Sequence, residues 1–251
     1  MAVPWYEATL LLASHLPLPV AIGFAVYAAR RFTSSILFAT VFASVVYHSC
    51  QAANACLFGS SVDTLRMLDY DIAFSNFIIV FDLLIPEVRT WFPASDDEVV
   101  RNEYRWMLFW GDILKYFMFI FILTIVSVYA LTPGALGGSF ANLAVLAAVA
   151  VLTGLFIYVL VISRGVMQFY SKFDWRYVLP GVILLGIGVV MFLVDINGAY
   201  AITHSIWHFC SFVGYIFLII GTNAGVFAPM IRASCCGQCR DVRRDRKYAS
   251  A

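Results

Sequence analysis

Seven apolar runs, each about the length of a membrane-crossing helix, leave this chain few ways to fold. They fall near residues 6–29, 33–58, 64–86, 106–130, 140–163, 176–194 and 200–223. A hydrocarbon core of ~30 Å takes about 20 such residues in a helix, whereas barrel strands would alternate over ~10. The runs are continuous, so the fold class is all-α: a seven-helix transmembrane domain over 1–230 and a tail over 231–251. Only 12% of the residues are charged, against roughly 25% in a soluble domain. That argues for a multi-pass integral membrane protein, of the plasma membrane or of an endomembrane such as ER or Golgi, and against nucleic acid as a partner. No Lys or Arg precedes the first run, so a cleavable signal peptide is not expected.

The basic residues alternate between connections. Arg30 and Arg31 lie in the first; Arg89, Arg101 and Arg105 in the third; Arg164, Lys172 and Arg176 in or beside the fifth; Arg232, Arg240, Arg243, Arg244, Arg246 and Lys247 in the tail. The second, fourth and sixth connections together hold only Arg66. Positively charged loops stay cytosolic, so the N-terminus is expected outside or in a lumen and the tail in the cytosol.

Several features read as scaffold. Pro17 and Pro19 should kink the first span, and His15 beside them reads as a histidine hydrogen-bonded inside the bundle or, less simply, as a site contact. Asp63-Thr64 suits a helix cap, Asp112 and Lys115 are spaced to pair on one helix face, and Asp82 reads as structural. Pro180 suits a first turn, while Gly134, Gly137 and Gly138 mark an external turn. Gly181, Gly186 and Gly188 allow close helix packing. Cys50 and Cys56 fall near an external helix end, where a disulfide is chemically allowed but not dictated by their spacing. Cys235, Cys236 and Cys239 precede a basic run at the inner face, which favours S-acylation; a zinc knuckle would lack its fourth ligand.

The residues that carry chemistry are few. The chain has four histidines, and two of them, His204 and His208, are four apart and so share one helix face. Counted inward from the expected outer surface at 1.5 Å per residue, they lie roughly 6 to 12 Å deep. His48, about 15 residues along a span that runs outward, reaches the outer part of the membrane as well, with Ser44 one turn below it. Asp69 and Asp71 lie in the outer part of the next span at similar depth, and spacing does not choose between them. An ionised Asp in hydrocarbon costs about 2.5 to 3.5 kcal/mol on insertion scales, so one of them should face a partner or cavity. Three imidazoles leave a tetrahedral zinc with one open position, the pattern of catalytic sites; a neighbouring Asp could accept a proton from water there. A buried polar network without metal and a bis-histidine haem are the alternatives, though haem accounts for neither Asp69 nor Ser44. A rhodopsin-like receptor shares the span count but not the expected signatures near spans three and seven.

The order Ser44-x-x-x-His48, Leu68-Asp69-Tyr70 and His204-x-x-x-His208 resembles the signature of the seven-span superfamily of alkaline ceramidases and progestin and adiponectin receptors, often called CREST. Tyr47-His48-Ser49-Cys50 and His204-Ser205-Ile206-Trp207-His208 are most similar to its branch containing myomaker and the GPI-anchor-processing phospholipase. The resemblance implies zinc held by His48, His204 and His208, with Asp69 (rather than Asp71) and Ser44 as catalytic residues around it. Gln51 stands where the branch often has an acid. The expected activity is zinc-dependent hydrolysis of an amide or ester bond in a membrane lipid. The alternative within the same branch is a non-enzymatic, zinc-stabilised scaffold or receptor acting in processes such as cell fusion.

Overall fold

The computed structural model describes residues 4–53, 56, 59–84, 98–131, 154, 173–194 and 200–230. Among them there is no strand. The helices are α1 (Trp5–Ala13), α2 (Pro17–Tyr27), α3 (Arg31–Ala53), α4 (Val62–Leu84), α5 (Glu98–Leu131), α6 (Trp175–Leu193) and α7 (Tyr200–Thr222). Four segments are long and apolar enough to cross a membrane: Trp5–Tyr27, which joins α1 and α2, then Arg31–Ala53, Trp175–Leu193 and Tyr200–Thr222. These are the helices of a membrane protein. The fifth expected span, 140–163, lies outside the described residues except for Gly154, as do Gly134, Gly137, Gly138 and the tail with Cys235, Cys236 and Cys239.

The first span is broken, as its prolines predict. Pro17 has no N–H to give the Ala13 carbonyl, so the chain tightens: His15 N–H bonds Leu12 O at 3.2 Å and Leu16 N–H bonds Ala13 O at 3.1 Å. Helix α4 is capped two residues earlier than Asp63-Thr64 suggests. The Ser61 hydroxyl accepts the Thr64 N–H at 3.1 Å, which places Asp63 inside the first turn, paired with Arg66 at 2.8 Å. Helix α6 likewise starts early: Asp174 is its cap, accepting from Arg176 N. Pro180 therefore lies inside the helix and not in its first turn. The Arg176 side chain also holds the Asp174 carboxyl below the usual carboxylate range.

Helix α7 is central. In its apolar stretch 61% of residues are inside the bundle, against 17% for α6, which packs along it from outside. Small residues permit this approach: a Cβ on Gly181 would lie 3.0 Å from Gly214 O, and one on Gly221 2.8 Å from Val178 N. Gly188 is similarly close to Ser211, whereas Gly186 faces open space and takes no part in the packing. Helices α3 and α4 pair with each other, α4 also meets α7, and α1 and α2 lie against both α3 and α7.

Two features bind the ends of this arrangement. At one end Cys50 and Cys56 form a disulfide, over a small cluster of Tyr47, Cys50 and Leu65 that joins the end of α3 to the start of α4. At the other, Lys115 bonds Asp112 at 2.7 Å, as spacing predicts, and also reaches Asp82 of α4 at 2.9 Å. Thr33 donates to the second Asp82 oxygen at 2.6 Å, and Arg30 donates to Asp82 O and to Asn223. Asp82 is structural, as expected, but its partners come from outside its own helix.

Candidate metal centre

Helix α7 turns His204 and His208 to the same inner face, where they are 5% and 2% exposed. Their Nε2 atoms lie 3.0 Å apart. Two nitrogens bound to one tetrahedral zinc at ~2.0–2.1 Å would stand roughly 3.3 Å apart, so the pair is close to a coordinating geometry. Aromatic neighbours hold the rings: Tyr200 and Trp207 against His204, Trp207 and Phe212 against His208, with ring centres 4.4–5.5 Å apart.

His48 enters from α3. Its Nδ1 is 3.3 Å from Gln51 Oε1; an amide oxygen only accepts, so Nδ1 carries the proton and Nε2 bears the free lone pair. That Nε2 is buried and has no hydrogen-bond partner. A buried polar atom without a partner is costly, and this one belongs to a ring whose centre lies 5.1 and 5.6 Å from those of His204 and His208. Asp69 of α4, also buried, completes the group: one donor atom each from His48, Asp69, His204 and His208 all fall within 4.8 Å of one another. Three imidazoles and a carboxylate on three helices are a donor set that suits a divalent transition ion, which would also give the orphaned His48 nitrogen a partner. A bis-histidine haem is a poor match, since His204 and His208 sit on the same side of the group, 3.0 Å apart, and not on opposite faces of a ring.

Ser44, one turn before His48, is fully buried. Its hydroxyl is 2.8 Å from His15 Nε2 and lies beside the Asp69 side chain. His15 stacks on His208 with ring centres 4.2 Å apart. It is hydrogen-bonded inside the bundle, the simpler expectation, and it is also a site contact. All four histidines of the chain thus gather in one cluster. His15 stood outside the expected ligand and catalytic set. The signal for it was depth: a count along the first span puts it roughly 14 Å in, level with the others.

Every expected site residue is here: Ser44, His48, Asp69, His204 and His208. The side chain of Asp71 lies outside the described residues. Asp69 and His208 also border a small, partly open cavity between α3, α4, α6 and α7. Ala73, Val80, Leu185, Val189 and Phe212 give it an apolar wall, and Asn76 and Ser211 are among its few polar groups.

Comparison with models of known protein families matches none of them, and a search of curated proteins finds no match.

Proposed function

We propose that the chain is a zinc-dependent hydrolase of the CREST type, acting on an amide or ester bond of a membrane lipid within a seven-span bundle. The observation that carries this reading is the joining of the His48, Asp69, His204 and His208 group to an apolar cavity. Bound zinc would supply a Lewis acid that polarises a carbonyl and acidifies water. The protein's own residues supply the rest. His48, His204 and His208 would hold the ion, and Gln51 fixes the tautomer of His48. Asp69 accepts a proton from the water as its oxygen bonds the acyl carbon, and returns it to the departing nitrogen or oxygen as the single C–N or C–O bond to that carbon breaks. Ser44 stands beside the Asp69 carboxyl, and the cavity wall takes the acyl chain away from water.

The alternation of basic residues supports an N-terminus outside or in a lumen and a cytosolic tail acylated at Cys235, Cys236 or Cys239. The Cys50–Cys56 disulfide supports the same orientation, because disulfides persist in oxidising compartments.

A second reading is favoured by one observation: the ligand group links α3, α4 and α7, as a structural site would. On it the protein is a zinc-stabilised scaffold or receptor without chemistry. Purified wild type and Asp69→Asn, compared by zinc content and by turnover of amide- and ester-linked lipids, separate the two. Retained zinc with lost turnover marks the hydrolase; no turnover in either, with zinc needed for folding, marks the scaffold.

A further inference from the structure

We infer that His15 is a positioning residue of this centre, locked into one tautomer by the proline break of the first span so that its Nε2 fixes the Ser44 hydroxyl. In an unbroken helix Leu11 O would accept the His15 N–H. Pro17 prevents that by tightening the turn, and the His15 N–H goes to Leu12 O instead. The released Leu11 carbonyl is buried and must be satisfied. It accepts from Ser14 Oγ at 2.6 Å and from His15 Nδ1 at 2.9 Å. A carbonyl only accepts, so Nδ1 carries the ring proton. In the neutral ring Nε2 is then an acceptor, and Ser44 must be the donor across the 2.8 Å contact.

The consequence lies at Asp69. A hydroxyl has one proton, so once Ser44 gives it to His15 the Ser44 oxygen offers Asp69 only lone pairs, and it can accept from that carboxyl only while the carboxyl carries the proton taken from water. His15 itself is no ligand, since both its nitrogens are engaged, at Leu11 O and Ser44. Its face packs on His208 at 4.2 Å, which ties the same ring to the metal-binding helix. The break in span one thereby acts on the centre from a helix that donates nothing to the ion.

This inference rests on the hydrolase reading for its effect on turnover but not for its geometry, so the test has two arms. In the first, zinc-loaded wild type, His15→Phe and His15→Gln are compared. Phe keeps the packing on His208 and removes the acceptor; the Gln side-chain oxygen can stand near the Nε2 position. All three should hold equal zinc, with kcat roughly ten- to a hundred-fold lower in His15→Phe, little change in KM and substantial recovery in His15→Gln. Equal kcat in wild type and His15→Phe would overturn the inference. In the second arm, protein labelled with ¹⁵N-histidine should show that the imidazole missing from His15→Gln is protonated at Nδ1, and that Ser44→Ala shifts its Nε2 signal. A proton on Nε2, or no response to Ser44→Ala, overturns the inference whatever the turnover. Absence of turnover in wild type defeats the hydrolase reading alone, and the second arm then decides the role of His15.

Discussion

His204 and His208 present their Nε2 atoms to each other at 3.0 Å, one helical turn apart on the central helix of the bundle. Without an ion, one of them must donate to the other; with one, both lone pairs turn to the same point. The companions of this pair, His48 and Asp69, arrive from two other helices, so an ion here would join three elements that otherwise meet through packing and through the bonds of Thr40 and Tyr215 to Asn76. Four consequences can be measured.

Ser44 and Asp69 should matter for chemistry more than for folding. Asp69→Asn keeps the size of a buried side chain and removes the proton acceptor, so lipid turnover should fall about 10²- to 10⁴-fold while the zinc content and the melting temperature stay near wild type. Ser44→Ala should have a smaller effect in the same direction. Turnover assays beside zinc analysis on the same preparations check both.

The buried Lys115–Asp82 contact behaves differently from its exposed neighbour. Side chains of Lys115 and Asp82 are 11% and 7% exposed, while Asp112 is 64% exposed. Lys115→Met strands the Asp82 carboxylate and should destabilise by about 3–5 kcal/mol. Adding Asp82→Leu removes the stranded charge and should recover much of the loss. Asp112→Ala should cost under about 1 kcal/mol. Thermal unfolding of the four proteins in one detergent measures the differences.

Two glycines in or beside the α6–α7 interface should separate cleanly. A Cβ on Gly221 would meet the backbone N of Val178 at 2.8 Å, so Gly221→Ala forces the helices apart and should cost about 1–3 kcal/mol. A Cβ on Gly186 would meet nothing within 4 Å, so Gly186→Ala should range from neutral to about 1 kcal/mol stabilising. Melting temperatures again give the answer.

Membrane orientation is open to direct labelling. An epitope placed before Trp5 should be accessible to antibody from outside the cell or from the lumen, and one after Ala251 only from the cytosol. Free thiol labelling should miss Cys50 and Cys56 until the protein is reduced. The reverse accessibility would undo the assignment of an outward-facing site.

Much of this was legible in the sequence, for identifiable reasons. The His204/His208 pair needs only helical periodicity, and depth, once the basic residues orient the spans, brings His48 and one of Asp69 or Asp71 to the same level; the choice of Asp69 comes from the resemblance. The break at Pro17 follows from the missing N–H. What spacing could not supply were contacts set by tertiary packing. Asp82 meets Lys115 only because α4 and α5 lie side by side. His15 reaches Ser44 because the broken turn redirects its ring. The cap of α4 was misplaced because Ser61 and Asp63 are both good capping residues, and only the bond from Thr64 N to Ser61 distinguishes them.

The most direct measurement is the metal content of monodisperse purified protein, by mass spectrometry of the elements, for wild type and for the pair of substitutions His204→Ala and His208→Ala. One zinc per chain in wild type, lost in the double variant, is the predicted result. One zinc per chain surviving in the double variant, or a fully stable wild type that binds no zinc when it is supplied, would contradict a centre built on these histidines.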